Sequence, residues 1–102
     1  MSTQGYYVTA ELRTKDPNRI TETKAALRAL CAATLEESGC SMFMVHHDAL
    51  TPTRFLLWEC WDDESALKLH FSLPHTQEYM QRDLTEVLQF FHTARVVPIS
   101  RD

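Results

Sequence analysis

Two apolar segments joined by a short polar connection restrict the fold of this chain most strongly. Cys40 to His47 and Arg54 to Trp61 each have the length of one strand, and neither alternating set of positions in them is consistently polar. The connection, Asp48 to Thr53, is too short for a helical crossover, so the two strands are predicted to form an antiparallel hairpin. A sheet that is apolar on both faces requires a covering layer on each side.

The segments before the hairpin predict one strand and one long helix. Tyr6 to Leu12 alternates between the two faces with the period of a half-buried strand. Asp16 and Pro17 favour a helix start, and the apolar stripe that follows extends to about Ser38. Gly39 then occupies the position where a helix commonly ends in a left-handed residue.

The segments after the hairpin predict two helices and a final strand. Acidic residues at 62 and 63 can cap a short helix that ends near Leu73, where Pro74 interrupts it. A further helix is predicted from about His75 to Phe91, followed by a strand from Thr93 to Ile99. The residues expected to face inward from that helix are Met80, Leu84, Val87, Leu88 and Phe91.

This order of strands and helices indicates an α+β, ferredoxin-like fold, with a four-stranded antiparallel sheet and helices on one face. The other face would be bare and apolar, which favours a homodimer that pairs two sheet faces. A length of 102 residues suits one domain, expected to span residues 1–102 with a core from about 6 to 99.

Composition argues against several functional classes. The net charge is −4, with 10 Lys and Arg against 14 Asp and Glu, so no basic surface is expected for nucleic acid or membrane. Two glycines cannot supply the glycine-rich loops of nucleotide sites. Cys31, Cys40 and Cys60 form no close pair. Without a long apolar run or a signal peptide, we expect a cytoplasmic protein.

The five histidines raise the question of a metal site. His46 and His47 are adjacent on a strand and point to opposite faces. His70 and His75 would lie about 140° apart around a helix. Neither pair has the geometry of a ligand set, so no metal site is expected.

His70 and Glu59 are the leading candidates for catalysis. His70 lies in an apolar helical segment, where loss of water lowers an imidazole pKa and favours the neutral base. Glu59 lies in an apolar strand, where a carboxylate needs a partner or a cavity. If the two face each other, Glu59 could orient the imidazole. Purely structural roles stay open for both residues. The candidate substrate-binding residues, each of which could equally be a packing or surface residue, are Trp61, Phe43, Tyr79 and His75.

Three segments resemble the antibiotic biosynthesis monooxygenase domain family. They are the run Glu37-Ser38-Gly39-Cys40, the strand end Glu59-Cys60-Trp61, and a helix whose His70 is followed by Pro74 and His75. The resemblance covers about Tyr6 to Ile99 and implies a dimeric α/β barrel of two ferredoxin-like sheets. Members of this family include cofactor-independent quinol and anthrone monooxygenases, an isomerase of phosphorylated signalling sugars, and haem-degrading enzymes.

The resemblance implies a cofactor-independent monooxygenase that oxidises a small quinol-like or polyphenolic aromatic with dioxygen. His70 would be the base, and Glu59 its orienter or a second polar contact. The haem-degrading branch carries its ligating histidine where this chain has Met80, so neither haem nor another cofactor is expected. The alternatives are an isomerase of a small carbonyl compound and a non-catalytic small-molecule-binding dimer. A phosphorylated substrate would require clustered cations, and Arg54, Lys68 and Arg82 are scattered in sequence.

Overall fold

A four-stranded antiparallel sheet with the order β2-β3-β1-β4 forms the centre of the fold. The computed structural model describes residues 5–96. Its elements are β1 (Tyr6–Thr14), a 3-10 turn (Pro17–Arg19), α1 (Ile20–Thr34), β2 (Cys40–His47), β3 (Arg54–Trp61), α2 (Glu64–Ser72), α3 (Pro74–Gln81) and β4 (Thr85–Thr93). The predicted α+β, ferredoxin-like architecture is confirmed, and the β2-β3 hairpin has the predicted bounds. Within residues 5–96, no helix is long and apolar enough to cross a bilayer.

The connection between α1 and β2 differs from the prediction. The helix ends at Thr34 rather than near Ser38, and Gly39 does not have a positive φ. A Cβ on Gly39 would lie 2.6 Å from the Cβ of Ala66, much closer than two carbon atoms can approach. Glycine is therefore needed because it lets the end of this connection lie against α2.

The prediction of one helix from His75 to Phe91 is wrong. The helix α3 ends at Gln81, Asp83 adopts a left-handed φ of 54°, and β4 begins at Thr85. This segment is rich in β-branched and aromatic residues, and its pairing with β1 satisfies its backbone groups, so tertiary pairing overrides the helical spacing.

The predicted inward face of that helix is correspondingly wrong. Leu84 is buried at 2%, but Val87 is 60% exposed and Phe91 is 49% exposed. The predicted last strand, Thr93 to Ile99, is likewise displaced, because β4 ends at Thr93. Residues 97–99 of that prediction lie outside the described residues.

The two faces of the sheet have different environments. On the helix-covered face, Phe55 and Trp61 are only 2% and 1% exposed. On the opposite face, a row of neighbouring residues crosses all four strands; it consists of Met44, Trp58, Thr9 and Phe91. The large side chains of this row are 41–49% exposed. The helices thus cover one face and leave the other, with its row of large apolar side chains, bare, as the sequence predicts.

Candidate functional site

A cavity of about 290 Å³ lies between the sheet and the helices. Most of its lining is apolar: Ala10, Leu12, Leu27, Leu30, Phe43, Leu57, Phe71, Tyr79, Met80, Leu84, Val87 and Phe90. Its polar lining residues are Glu59, His70, Thr76, Asp83 and Thr85. Met80, Val87 and Phe90 are at least half exposed, so they mark the open side of the cavity beside β4. The volume suits a small ligand.

His70 reaches this cavity from the last turn of α2. Asp63 caps the start of the helix by accepting a hydrogen bond from the Ala66 N–H. The imidazole is only 3% exposed and packs against the rings of Trp61 and Phe43, at centroid distances of 4.8 and 5.6 Å. Burial lowers the pKa of His70, although the neighbouring Glu37 opposes this change. A neutral imidazole is thereby favoured, as predicted.

The carboxylate bonded to His70 is Glu37 rather than the predicted Glu59. Glu37 Oε2 lies 2.7 Å from His70 Nδ1. Its place is set by the turn after α1, where its N–H donates to the Thr34 carbonyl and its own carbonyl accepts from the Cys40 N–H. Because an ionised carboxylate only accepts hydrogen bonds, this contact favours a His70 proton on Nδ1 and leaves the lone pair on Nε2, which lies 3.5 Å from Thr76 Oγ1.

His75 contacts the same carboxylate oxygen, with its Nε2 2.6 Å from Glu37 Oε2. The prediction that the two histidines diverge is wrong, because they do not share one helix. Leu73 is extended between α2 and α3, and Pro74 begins the second helix in a new direction. The potential metal-ligand atoms of Glu37, His70 and His75 all lie within 4.8 Å of one another. Residues of these types can also hold a metal ion. The Glu37 oxygen lies at hydrogen-bond distance from both nitrogens, so the three side chains form a hydrogen-bonded cluster.

Glu59 faces the same cavity from β3, beside Phe43 and Val8 on the neighbouring strands. It is 6% exposed, and its Oε1 accepts a hydrogen bond of 2.9 Å from Trp61 Nε1. Burial raises the pKa of Glu59 to about 7, and the hydrogen bond from Trp61 only partly opposes this. The site therefore contains a second group that can exchange a proton near neutral pH.

The other predicted site residues divide into two groups. Phe43 and Tyr79 line the cavity with His70 and Glu59, and their role beside a ligand stays a prediction. Trp61 is not part of the lining; it lies beneath it and holds the Glu59 carboxyl. His75 is also absent from the lining and contacts Glu37 instead.

Sequence reasoning missed two residues of the site. Glu37 appears in the quoted family pattern, but only as part of a helix end. Thr76, buried at 3%, has its Oγ1 3.2 Å from His70 Nδ1. For Glu37, the position just before the close-packed Gly39 holds it near α2, but this packing is visible only in the structure. For Thr76 no sequence signal was available.

The cavity lining contains no lysine or arginine among the described residues. The three cations considered for a phosphate site form ion pairs elsewhere: Arg54 with Glu11 and Asp48, Arg82 with Glu22, and Lys68 with Glu64. Nothing in the lining would neutralise a phosphate group, so the chemistry of the cavity suits a neutral or weakly acidic ligand.

Comparisons with known proteins agree with this architecture. Residues 5–82 match the family described as antibiotic biosynthesis monooxygenase. An uncharacterized protein of Bacillus subtilis, YjcS, is 32% identical over 82 residues, which cover 80% of this chain and 78% of the relative.

Solved structures show the same fold. A structure of protein YJCS superimposes with a TM-score of 0.82 at 29% identity, covering 87% of this chain and 96% of that one. PA3566 from Pseudomonas aeruginosa gives 0.80 at 26% identity, covering 95% and 98%. A structure named antibiotic biosynthesis monooxygenase gives 0.73 at 20% identity, covering 90% and 99%, and this likeness concerns the fold alone. Because the family model matches residues 5–82, more than half of the chain, the chain belongs to the antibiotic biosynthesis monooxygenase family.

Proposed function

We propose that this protein is a cofactor-independent monooxygenase that oxidises a quinol-like or polyphenolic aromatic with dioxygen. The main support is a buried His70 that lines an apolar cavity and has its Nδ1 bonded to the Glu37 carboxylate. This pairing favours the tautomer in which the lone pair that accepts a proton lies on Nε2. In the proposal the substrate itself supplies the electrons that a flavin or metal supplies elsewhere.

The first step is removal of a phenolic proton by His70 Nε2. Glu37 then stabilises the imidazolium through the Nδ1–H, the role of a base-orienting carboxylate. Glu59, whose pKa burial raises to about 7, can donate a hydrogen bond to a second substrate oxygen when it is protonated. The apolar walls exclude water and suit a flat ring.

The oxidation then uses four electrons from the substrate. The phenolate gives one electron to dioxygen, and the resulting superoxide and phenoxyl radical combine at a ring carbon that carries hydrogen. The imidazolium returns its proton to the peroxide. That carbon loses its hydrogen as a proton while the O–O bond breaks, so one oxygen becomes a ring carbonyl and the other leaves as water. The base is regenerated without an external reductant.

Turnover of a naphthalene hydroquinone by purified, chelator-treated protein tests the proposal. We expect one dioxygen to be consumed for each hydroxyquinone formed, with one atom of isotopically labelled dioxygen in the product and one in water. Mass spectrometry of the product and an oxygen electrode measure this ratio.

Three other outcomes would contradict the oxygenase proposal. Equal turnover without oxygen would indicate the isomerase alternative, in which His70 and Glu59 move protons next to a carbonyl. Production of hydrogen peroxide without label in the product would indicate simple oxidation of the hydroquinone. Binding without turnover across a panel of hydroquinones would favour a small-molecule-binding dimer.

The predicted cytoplasmic location stays a prediction.

The proposal includes a homodimer formed through the bare sheet faces. Trp58 lies in the middle of the exposed apolar row and is 41% exposed. A two-fold axis would place this row against its copy, and burying aromatic side chains of this size stabilises an interface. Exposed apolar surface of this kind is unusual in a monomer.

Replacing Trp58 with glutamate is expected to convert the dimer to monomers. The introduced carboxylate would be buried without a partner in both copies, which should weaken association at least about 30-fold. Light scattering after size-exclusion chromatography measures the mass. Leu69→Glu is the matched control, because Leu69 is 58% exposed on α2 in the helix layer. A monomeric wild-type protein, or equal loss of mass in both variants, would contradict the proposed interface.

A further inference from the structure

A hydrogen-bonded cluster extends outward from the cavity base. Glu37 Oε2 lies 2.7 Å from His70 Nδ1 and 2.6 Å from His75 Nε2. Side-chain exposure rises along this series, from 4% for His70 and 8% for Glu37 to 26% for His75. His70 lines the cavity, whereas His75 lines a separate groove of about 300 Å³ formed with α1 and α3 residues. The cluster therefore connects the cavity with solvent outside it.

We propose that His75 is a positioning residue that sets the proton affinity of His70 from outside the cavity, through the single Glu37 oxygen that both imidazoles contact. The effect of His75 on the reaction rate rests on the proposed function, whereas its effect on the titration of His70 does not.

The physical basis is competition for one negative charge. An ionised Glu37 stabilises a proton on His70, and this stabilisation is strong because both side chains are almost fully buried. A protonated His75 takes up part of the same charge and also repels a cation on His70. The pKa of His70 accordingly falls through burial, rises through Glu37 and falls again through the charge on His75. A proton taken from solvent by His75 would therefore weaken the base inside the cavity.

Other titratable groups face the same cavity but have different partners. Glu59 on β3 accepts from Trp61, and the Tyr79 hydroxyl on α3 contacts Thr85. Asp83, which follows α3, pairs with Lys15. Within residues 5–96, the titratable groups that contact the Glu37 carboxylate are the two histidines.

Two substitutions with opposite expected effects test this coupling. His75→Gln keeps a hydrogen-bond donor but removes the imidazole whose positive charge lowers the pKa of His70, so we expect that pKa to rise. His75→Lys supplies a permanent charge near Glu37, so we expect the pKa of His70 to fall. The measurement is an NMR titration of the imidazole nitrogens in the full chain, without substrate. If the glutamine variant fails to fold, His75→Asn makes the same neutral replacement.

The opposite signs separate coupling from general loosening, which would move the His70 titration in one direction in both variants. Glu36→Gln is the matched control, because Glu36 is an exposed neighbour of Glu37 and should leave the titration unchanged. Unchanged pKa values in both His75 variants, or shifts of the same sign, would overturn the inference.

The same variants have a kinetic readout if the proposed function holds. The acidic limb of the pH profile of kcat/KM should move with the His70 titration. It should shift to higher pH in the glutamine variant and to lower pH in the lysine variant. A matching NMR result in a protein without oxygenase activity would support the coupling and remove the proposed function. An NMR result without opposite shifts would remove the coupling and leave the oxygenase proposal to its own test.

Discussion

His70→Asn should reduce kcat/KM for the hydroquinone substrate by about 100- to 10,000-fold, the range expected when a general base is removed. The asparagine amide can place an N–H near the position of the imidazole Nδ1 and so keep the hydrogen bond to Glu37. It has no group at the position of Nε2, the atom assigned to proton removal. The change therefore removes the base while leaving most of the surrounding polar contacts in place.

The control for this variant is its structure and assembly. Circular dichroism, thermal unfolding and light scattering should give results close to wild type, because the amide N–H still satisfies the buried Glu37 carboxylate. Raising the pH should restore part of the rate, since more of the substrate is then a phenolate before it binds. Activity within about threefold of wild type in a folded His70→Asn protein would rule out the imidazole as the base.

The β2-β3 hairpin and the bare face were predictable because they depend on local sequence, namely two apolar segments of strand length and the short connection between them. Cys40 to His47 and Arg54 to Trp61 have side chains that suit strands. The connection between them is so short that they can pair only as an antiparallel hairpin. The segment from Thr85 to Thr93 was mistaken for a helix because its apolar residues also fit a helical spacing. Its conformation is decided by pairing with β1 and by the left-handed Asp83, which spacing alone does not reveal.

The site was predictable only in part, for a related reason. His70 and Glu59 were recognised because each is a polar group in an apolar segment, and both do line the cavity. Their partners depend on geometry between distant segments. Glu37 reaches His70 through the close approach of Gly39 to Ala66, and His75 reaches Glu37 through the change of direction at Pro74. These contacts follow from packing rather than from any local pattern.

Glu59→Gln should stabilise the fold at alkaline pH. Burial raises the pKa of Glu59 from its ordinary value of 4.5 to about 7 in the folded protein. Between these values the unfolded chain releases a proton that the folded chain keeps, so the stability of the wild type falls as pH rises through this window. The loss amounts to about 3 kcal/mol and is complete above the folded pKa. Glutamine has the same shape and can still accept from Trp61 Nε1, but it never ionises.

Urea unfolding of wild type and Glu59→Gln at a series of pH values measures this difference. The two free energies of unfolding should be close at pH values below the ordinary range of a glutamate, diverge between about 4.5 and 7, and stay apart above it. His70 contributes the opposite slope, because its lowered pKa makes stability rise with pH, but this contribution is common to both proteins and cancels in the difference. Glu36→Gln, at an exposed position, should run parallel to wild type. A parallel curve for Glu59→Gln would mean that the buried carboxyl ionises as it does in the unfolded chain, and its role as a proton donor inside the cavity would then fail with it.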